Sequence, residues 1–539
     1  MVTSQELLRF CLEKGLLLDN EVLNLFSDLE DIESAKVIIE KIRDCVGQRI
    51  ITKSTFEKNK ERVGEVFLEL SEENKKSIDK LKIKLGLSIE ISREVSRPLK
   101  PEKILKEPIF NGNNFSNNPR GLTGSFEDVR IVASSPALSK KIEVNDFVNY
   151  FRSRLNEMKS ILQEHCELTN LISINKLSGN KQNFSIIGIV SDKRVTKNKN
   201  LLLEVEDLTG KIKILINHEK KELYEKAEEI AIDSVLGFKV SGGREIVFAN
   251  DIIFPESSIS ERKKSPVEEY SLFLGDIHVG SKLFLENNLI KFIDYLNGKF
   301  PNTPEVNNIK YLFIIGDLIA GVGVYPGQEK ELIIQNVEEQ YSKAAELLGK
   351  IRKDIKIIIS PGNHDAVRIM EPQPILDEKY AWPLYNLKNI LLVGNPCQVN
   401  IGSKPEKSFN GFDVLMYHGY SYHYYANNIP KLIIGKAVHN PDQIMHYLLK
   451  NRHLAPTHSS TLYFPSIDDP FIIKKVPDIF VSGHTHKSAV SYYNNILTIS
   501  ASAWESLTKF QEKMGNEPDF CKVPMFNHKT RAVKILDFE

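Results

Sequence analysis

The sequence predicts a multidomain α/β chain: an N-terminal helical domain, an OB-fold β-barrel and a C-terminal α/β layered domain. Three patterns predict it. Apolar residues near the N-terminus recur at helical spacing. Short alternating segments punctuated by glycine turns occupy the middle of the chain. From about residue 268 onward, continuous Val, Ile, Leu and Phe runs alternate with helical stretches, the pattern of a sheet covered on both faces. A length of 539 residues allows several domains and needs no disulfide or structural metal to hold their cores.

Residues 1–75 read as a helical domain, in which Leu7, Leu8, Phe10, Cys11 and Leu16 to Leu18 open a pattern continued over 21–26 and 32–42. Residues 76–144 read as a flexible linker. The stretch 108–124 is rich in Pro, Gly, Asn and Ser, too poor in apolar groups to offset the entropy of ordering. The next domain spans 145–260 and opens with an amphipathic helix bearing Phe147, Phe151, Leu155, Met158 and Leu162. Five strand candidates follow at 185–190, 201–206, 211–216, 235–240 and 244–248. Turns at Asp207-Leu208-Thr209-Gly210 and Ser241-Gly242-Gly243 separate them, and a helix over 221–230 lies between the third and fourth. That order fits an OB-type barrel. Lys193, Arg194, Lys197 and Lys199 offer it a basic groove for a single strand. No aromatic residues interleave with them, so a barrel face for a protein partner is an equal expectation.

Composition excludes several classes. Lys plus Arg and Asp plus Glu each number 71, and zero net charge rules out a polybasic nucleic-acid coat while leaving room for local basic surface. Five scattered cysteines without CxxC spacing argue against a disulfide scaffold or a thiolate zinc site, and for a reducing, cytoplasmic location. The least charged run, 311–327, is interrupted by Asp317 and too short to span a bilayer, so no membrane is expected. The first segment carries Glu6, Glu13 and Asp19 and shows no signal-peptide pattern. Ten of the 13 histidines crowd between His278 and His486.

The C-terminal domain, 268–539, explains that crowding. Strands are expected at 270–274, 310–315, 355–359, 412–416, 478–481 and 496–500. The first is followed by Gly275-Asp276-Ile277-His278, the second by Gly316-Asp317, the third by Pro361-Gly362-Asn363-His364-Asp365. The fourth is followed by Tyr417-His418-Gly419 and the fifth by Gly483-His484-Thr485-His486. One such fragment is an ordinary turn; five in succession are not. Ligands bind outside the carboxyl ends of strands in α/β sheets. The donors are carboxylate, amide oxygen and imidazole, with no thiolate, a set suited to Mn, Fe, Zn or Mg.

This order of motifs resembles the calcineurin-like, or Mre11-type, metallophosphoesterases over roughly residues 268 to 510. The resemblance implies two divalent metal ions, Mn foremost, with Fe, Zn or Mg as alternatives. It places Asp276, His278 and His486 on one ion, Asn363, His418 and His484 on the second, and Asp317 between them. His364 would protonate the leaving oxygen or orient the phosphate, and Asp365 would set the His364 tautomer. Such a metal pair activates water and neutralises phosphate oxygens.

Further segments narrow the likeness. Ile187-Gly188-Ile189-Val190, Lys193-Arg194, Thr196-Lys197-Asn198 and Glu206-Asp207-Leu208-Thr209-Gly210 lie in the barrel region. Asp365-Ala366-Val367-Arg368, Glu371-Pro372-Gln373-Pro374 and His453-Leu454-Ala455-Pro456 lie beyond it. Together they make nearly the whole chain similar to the small subunits of archaeal D-family DNA polymerases. That likeness implies a 3′–5′ exonuclease that proofreads the primer end during DNA replication. It implies a large catalytic polymerase subunit as partner, and DNA, as a primer 3′ end or single strand, as substrate. Two other readings stand beside it. Mre11-type repair nucleases begin with the phosphoesterase domain, unlike this chain. Non-catalytic polymerase B-subunit scaffolds have eroded metal motifs, whereas every ligand position here is filled. The chain departs from the family after His418-Gly419, where Tyr420 to Tyr425 replaces a more polar stretch. Tyr422 and Tyr424 are expected to stack an unpaired terminal base. His423, His439, His446 and His458 match no metal motif and read as ordinary surface or core.

Overall fold

The computed structural model describes residues 4–14, 16–18, 36, 39, 50–51, 126, 128–134, 141–177 and 182–539. The chain divides into two units, residues 1–111 and 112–539. In the first, helix α1 (Ser4–Glu13) buries Leu7 and Cys11, one turn apart on a single face. Strand β1 (Leu17–Leu18) pairs parallel with β2 (Ile50–Ile51), so the described part of this unit is not purely helical. Most of the helical pattern expected over 21–42 lies outside the described residues, as does the Pro- and Asn-rich stretch 108–124.

The second unit opens with a departure from the linker reading. Strand β3 (Val129–Ser134) falls inside the 76–144 stretch, yet it pairs antiparallel along the whole of a later strand, Cys397–Ile401. Val129 is buried and Phe126 packs on the same core. Six residues beside a polar segment carry too weak a period to announce an edge strand. Its backbone bonds come from more than 260 residues away in sequence.

Helix α2 (Val144–Gln163) buries Tyr150, Arg154, Leu155, Met158 and Leu162, close to the stripe its spacing predicts. Strands β4 (Gln182–Val195), β5 (Leu201–Asp207) and β6 (Gly210–Ile216), helix α3 (Lys221–Glu228), and strands β7 (Val235–Gly242) and β8 (Ile246–Ile253) then form a closed barrel in the order β4-β5-β6-β8-β7. β6 and β8 pair parallel and the other neighbours antiparallel. Ile186, Leu203, Val205, Ile214, Phe238 and Val247 fill its interior. One expected groove residue is used otherwise. The Lys193 ammonium donates to the carbonyls of Glu228 (2.6 Å) and Ile230 (2.8 Å), capping the C-terminal end of α3. Arg194, Lys197 and Lys199 remain exposed.

The remaining elements are β9 (Tyr270–Leu274), α4 (Glu286–Leu296), β10 (Ile309–Ile315), α5 (Val337–Gly349), β11 (Lys356–Ser360), α6 (Glu378–Tyr385), β12 (Ile390–Leu392), β13 (Cys397–Ile401), β14 (Phe412–Met416), α7 (Tyr422–Asn428), α8 (Pro430–Ile434), α9 (Pro441–Asn451), β15 (Ile479–Ser482), β16 (Ala489–Tyr493), β17 (Ile496–Ser500), α10 (Lys509–Met514), β18 (Lys522–Asn527) and β19 (Val533–Asp537). They form two six-stranded sheets, ordered β12-β11-β10-β9-β18-β19 and β16-β17-β15-β14-β13-β3. The sheets face each other across a core containing Phe273, Phe313, Ile315, Val414, Met416, Val481 and Ile499. Helices α4, α5 and α6 cover the outer face of the first sheet, and α2, α7 and α9 that of the second. Both faces of β10 are therefore dry: Tyr311, Phe313 and Ile315 point into the inter-sheet core, Leu312 and Ile314 toward the helices. This accounts for the unbroken apolar runs. Among the described residues, no helix is long and apolar enough to cross a membrane.

Candidate metal centre

The motif residues converge at one end of the seam between the sheets. The first sheet brings Asp276 and His278 after β9, Asp317 after β10, and Asn363 and His364 after β11. The second brings His418 after β14 and His484 and His486 after β15. Main-chain bonds lock the loops together. The His278 N–H donates to the Asp317 carbonyl (3.0 Å), Gly316 to Ser360 (3.0 Å) and Gly483 to His418 (3.0 Å). Bonds also cross the seam: the His484 N–H donates to the Asp276 carboxylate at 3.0 Å, and His418 Nδ1 donates to the Ile315 carbonyl at 3.0 Å.

The backbone here is strained. Asp276, His278, Asp317, His484 and His486 all have φ between 50° and 68°. Left-handed backbone costs an ordinary residue about 1–2 kcal/mol. Five such residues converging on one point indicate that the surrounding bonds serve the aim of the side chains. Two glycines make the approach possible. A Cβ on Gly316 would collide with the His418 ring, and one on Gly362 with the Asp317 carboxylate.

The donors fall into adjoining groups. In the first, His278 Nε2 lies 3.2 Å from His486 Nε2, and Asp276 Oδ1 lies 3.5 Å from His486 Nε2. Burial pushes the pKa of both imidazoles down to about 3, so both are neutral and offer lone pairs. Burial, reinforced by the nearby Asp317 charge, raises the Asp276 carboxyl well above its usual range. In the second group, Asp317 Oδ2 lies 3.3 Å from His418 Nε2, with His484 alongside. The Asn363 Oδ1 is 3.0 Å from the same His418 nitrogen. Asp317 Oδ2 also lies 3.9 Å from His278 Nε2, which puts this carboxylate between the groups. Burial alone would lower the His418 pKa, but the Asp317 charge beside it wins and pushes it up to about 10. A proton there holds the place of a positive charge. Buried carboxylates in want of a counter-charge, neutral imidazoles and no thiolate form a donor set that fits divalent cations.

His364 stands at the edge of this cluster, half-buried. Its N–H donates to Asp317 Oδ1 (2.8 Å), its Nδ1 lies 2.8 Å from the Ala320 carbonyl, and its ring packs edge-on against His278 at 4.7 Å. Asp365 does not set its tautomer. That carboxylate accepts from the N–H groups of Gly362 (2.9 Å), Leu318 (3.3 Å) and Ile319 (3.4 Å) and from the Tyr341 hydroxyl (3.3 Å). It braces the loops carrying Asp317 and Asn363, while a carbonyl two residues past Leu318 fixes the imidazole.

The aromatic stretch also needs correction. Tyr422 and Tyr425 are fully buried in the core beneath the second sheet, and Tyr424 packs against Tyr425. Tyr420 and His423 are the residues that reach the site, with rings 5.6 and 5.3 Å from the ring of His484. The recurrence of Tyr422, Tyr425, Ala426 and Ile429 is the core stripe of a helix, and it signals which aromatics turn inward. His439 is exposed, His446 bonds Ser491 and His458 bonds Tyr463, as ordinary histidines do. His453 lies in the core. It bonds Asp469, which also accepts from Arg154, so the His453-Leu454-Ala455-Pro456 block is a packing junction. Glu505, which no motif marks, accepts from Ser281 beside the metal groups.

Known proteins match this arrangement. The family described as calcineurin-like phosphoesterase matches residues 271–488. A protein named DNA polymerase II small subunit from Methanothermobacter thermautotrophicus is 37% identical over 400 residues, 74% of this chain and 80% of its own length. One of the same name from Pyrococcus furiosus is 37% identical over 428 residues, 76% of this chain and 68% of its own. The chain belongs to the family of archaeal DNA polymerase II small subunits. Its membership agrees with the likeness read from the barrel and phosphoesterase motifs. A further member, from Methanocaldococcus jannaschii, is 38% identical over 392 residues, 71% of this chain and 64% of its own.

Proposed function

We propose that the phosphoesterase domain is a two-metal 3′–5′ exodeoxyribonuclease that proofreads primer ends while held by the large, polymerising subunit of a D-family polymerase. The observation that carries this reading is the complete donor set at the sheet seam, with the accessible imidazole of His364 at its rim. Asp276, His278 and His486 would hold one divalent ion and Asn363, His418 and His484 the other, Asp317 lying between; Mn suits these donors, as do Fe, Zn and Mg. Bound there, the ions would supply charge neutralisation at the phosphate and a more acidic water.

The protein's own groups account for the rest. Water adds to phosphorus as the bond from phosphorus to the 3′ oxygen of the penultimate nucleotide breaks. His364 gives that oxygen a proton from Nε2, while its Nδ1–H stays on the Ala320 carbonyl in either charge state. A proton from the attacking water returns to solvent. The products are a 5′-mononucleotide and a strand one residue shorter with a free 3′ hydroxyl. Asp365 keeps the Asp317 and Asn363 loops in register. The five-stranded barrel, read as an OB fold, offers Arg194, Lys197 and Lys199 for a single strand or for the partner. The cytoplasm is the compartment such a subunit works in.

The test is nucleotide release from matched and mismatched 3′ ends by the full chain, alone and with its large subunit, with Mn and with chelator. Metal-dependent release, lost in Asp317→Asn, is the expected result. No release under any of these conditions makes the chain a scaffold instead.

A further inference from the structure

The turn after His418-Gly419 puts two rings where no metal motif calls for them. Tyr420 is half-buried and His423 exposed, and both rings rest against His484. Tyr420 lies in the turn that the Tyr422 N–H closes on the Gly419 carbonyl (2.9 Å), and His423 follows in the first turn of α7. The turn is rigidly held. The Ser421 N–H donates to the Tyr417 hydroxyl (3.2 Å), which itself donates to buried Glu371 (3.1 Å), and the Ser421 hydroxyl donates to the Leu454 carbonyl (2.8 Å). Tyr422 and Tyr425 anchor the helix from below. Among the described residues, neither the Tyr420 hydroxyl nor the His423 ring nitrogens have a hydrogen-bond partner in the protein. Two flat rings are thus fixed at the site's rim with their remaining surface free.

Their position relative to His364 gives them a direction. His364 sits against His278, in the first group of donors. Tyr420 and His423 sit against His484, in the second. If His364 protonates the oxygen of the retained strand, that strand leaves past His364, and the released nucleotide occupies the other side. We infer that Tyr420 and His423 form the subsite for the terminal nucleoside and stack its unpaired base, so that the site favours 3′ ends whose last base is free of its template. This rests on the nuclease reading above. Flat rings suit a base face, and stacking tolerates all four bases, as removal of any mismatch requires.

The test compares two single-stranded oligonucleotides, identical except that one ends in thymidine and the other in an abasic deoxyribose. With the full chain and Mn, wild type should cleave the thymidine end about tenfold better in kcat/KM, the scale one stacked base contributes. In Tyr420→Ala/His423→Ala that ratio should fall to near one, while Tyr420→Phe keeps it. A ratio near one in wild type, or an unchanged ratio in the double variant, overturns the subsite. Should wild type release nothing from either end, alone or with its large subunit, the nuclease reading fails, and equilibrium binding of the same two oligonucleotides decides the subsite separately. Base-dependent affinity lost in the double variant supports it, and equal affinity in wild type and variant overturns it.

Discussion

A histidine serves as a directed acid only when its second nitrogen is tied down, and at His364 the Ala320 carbonyl does the tying. His364→Ala should lower kcat on DNA by about 10²–10⁴-fold. The loss should be far smaller on a p-nitrophenyl ester of thymidine 5′-phosphate, whose leaving group needs no proton; equal losses on both substrates would refute the acid role. Glu371 permits a second prediction. It is buried among Thr461, Tyr417 and Asn395, all of which donate to it, and the His418 charge favours its ionised form. Burial nonetheless pushes its pKa up to about 7, from 4.5 when unfolded. Between those values the folded chain holds a proton that the unfolded chain has lost. Its contribution is therefore complete below pH 4.5 and falls as pH rises toward 7, by about 3 kcal/mol. Glu371→Gln should flatten that part of the difference, measured as denaturant midpoints at pH 5, 6 and 7; identical slopes in both proteins would count against a raised pKa.

Helix α2 shows what lies between residue and domain. Arg154 Nε donates to Asp469 Oδ2 at 2.6 Å, Tyr150 donates to Asp469 Oδ1 at 2.7 Å, and His453 adds a third bond at 2.9 Å. The same helix packs Leu155, Met158 and Leu162 with Ile187, Val235 and Ile253 of the barrel. It therefore joins the barrel to the phosphoesterase domain through a buried charge pair. Arg154→Met leaves Asp469 ionised and unpaired and should cost about 3–5 kcal/mol. Arg154→Met/Asp469→Leu should recover much of that, read from denaturant unfolding; a double variant no better than the single would mean the pair is not the source. The apolar stripe of α2 was legible from its spacing. Its partner was not, because 315 residues separate Arg154 from Asp469 and nothing local marks either. Lys193 was misread for a related reason. A lysine beside Arg194 looks like groove charge until α3 folds back and brings its terminal carbonyls within reach.

At the scale of the molecule, the motifs showed which residues share a site, since strand ends followed by Gly, Asp, His and Asn have a local signature. The number of sheets had none. Both faces of each sheet are apolar, so the runs read alike whether one sheet or two are present, and only pairings such as β13 with β3 divide them. The division matters because neither sheet holds a complete site: Asp276, His278, Asp317 and Asn363 come from one, His418, His484 and His486 from the other. Metal binding should therefore act across the seam and be linked to folding. Unfolding separates the donors, so ions bound only by the folded chain should stabilise it by about 2.7 kcal/mol at one hundred times their dissociation constant. Mn should raise the denaturant midpoint, chelator should reverse the rise, and Asp317→Asn should remove most of it although the ion-free variant still folds. Without metal the midpoint of that variant should lie below wild type, since Asp317 pairs with the buried His418 imidazole at 3.3 Å and accepts from the His364 N–H. A midpoint indifferent to Mn in wild type would mean that the donors do not gather an ion across the two sheets, and the nuclease reading would lose its physical basis with it.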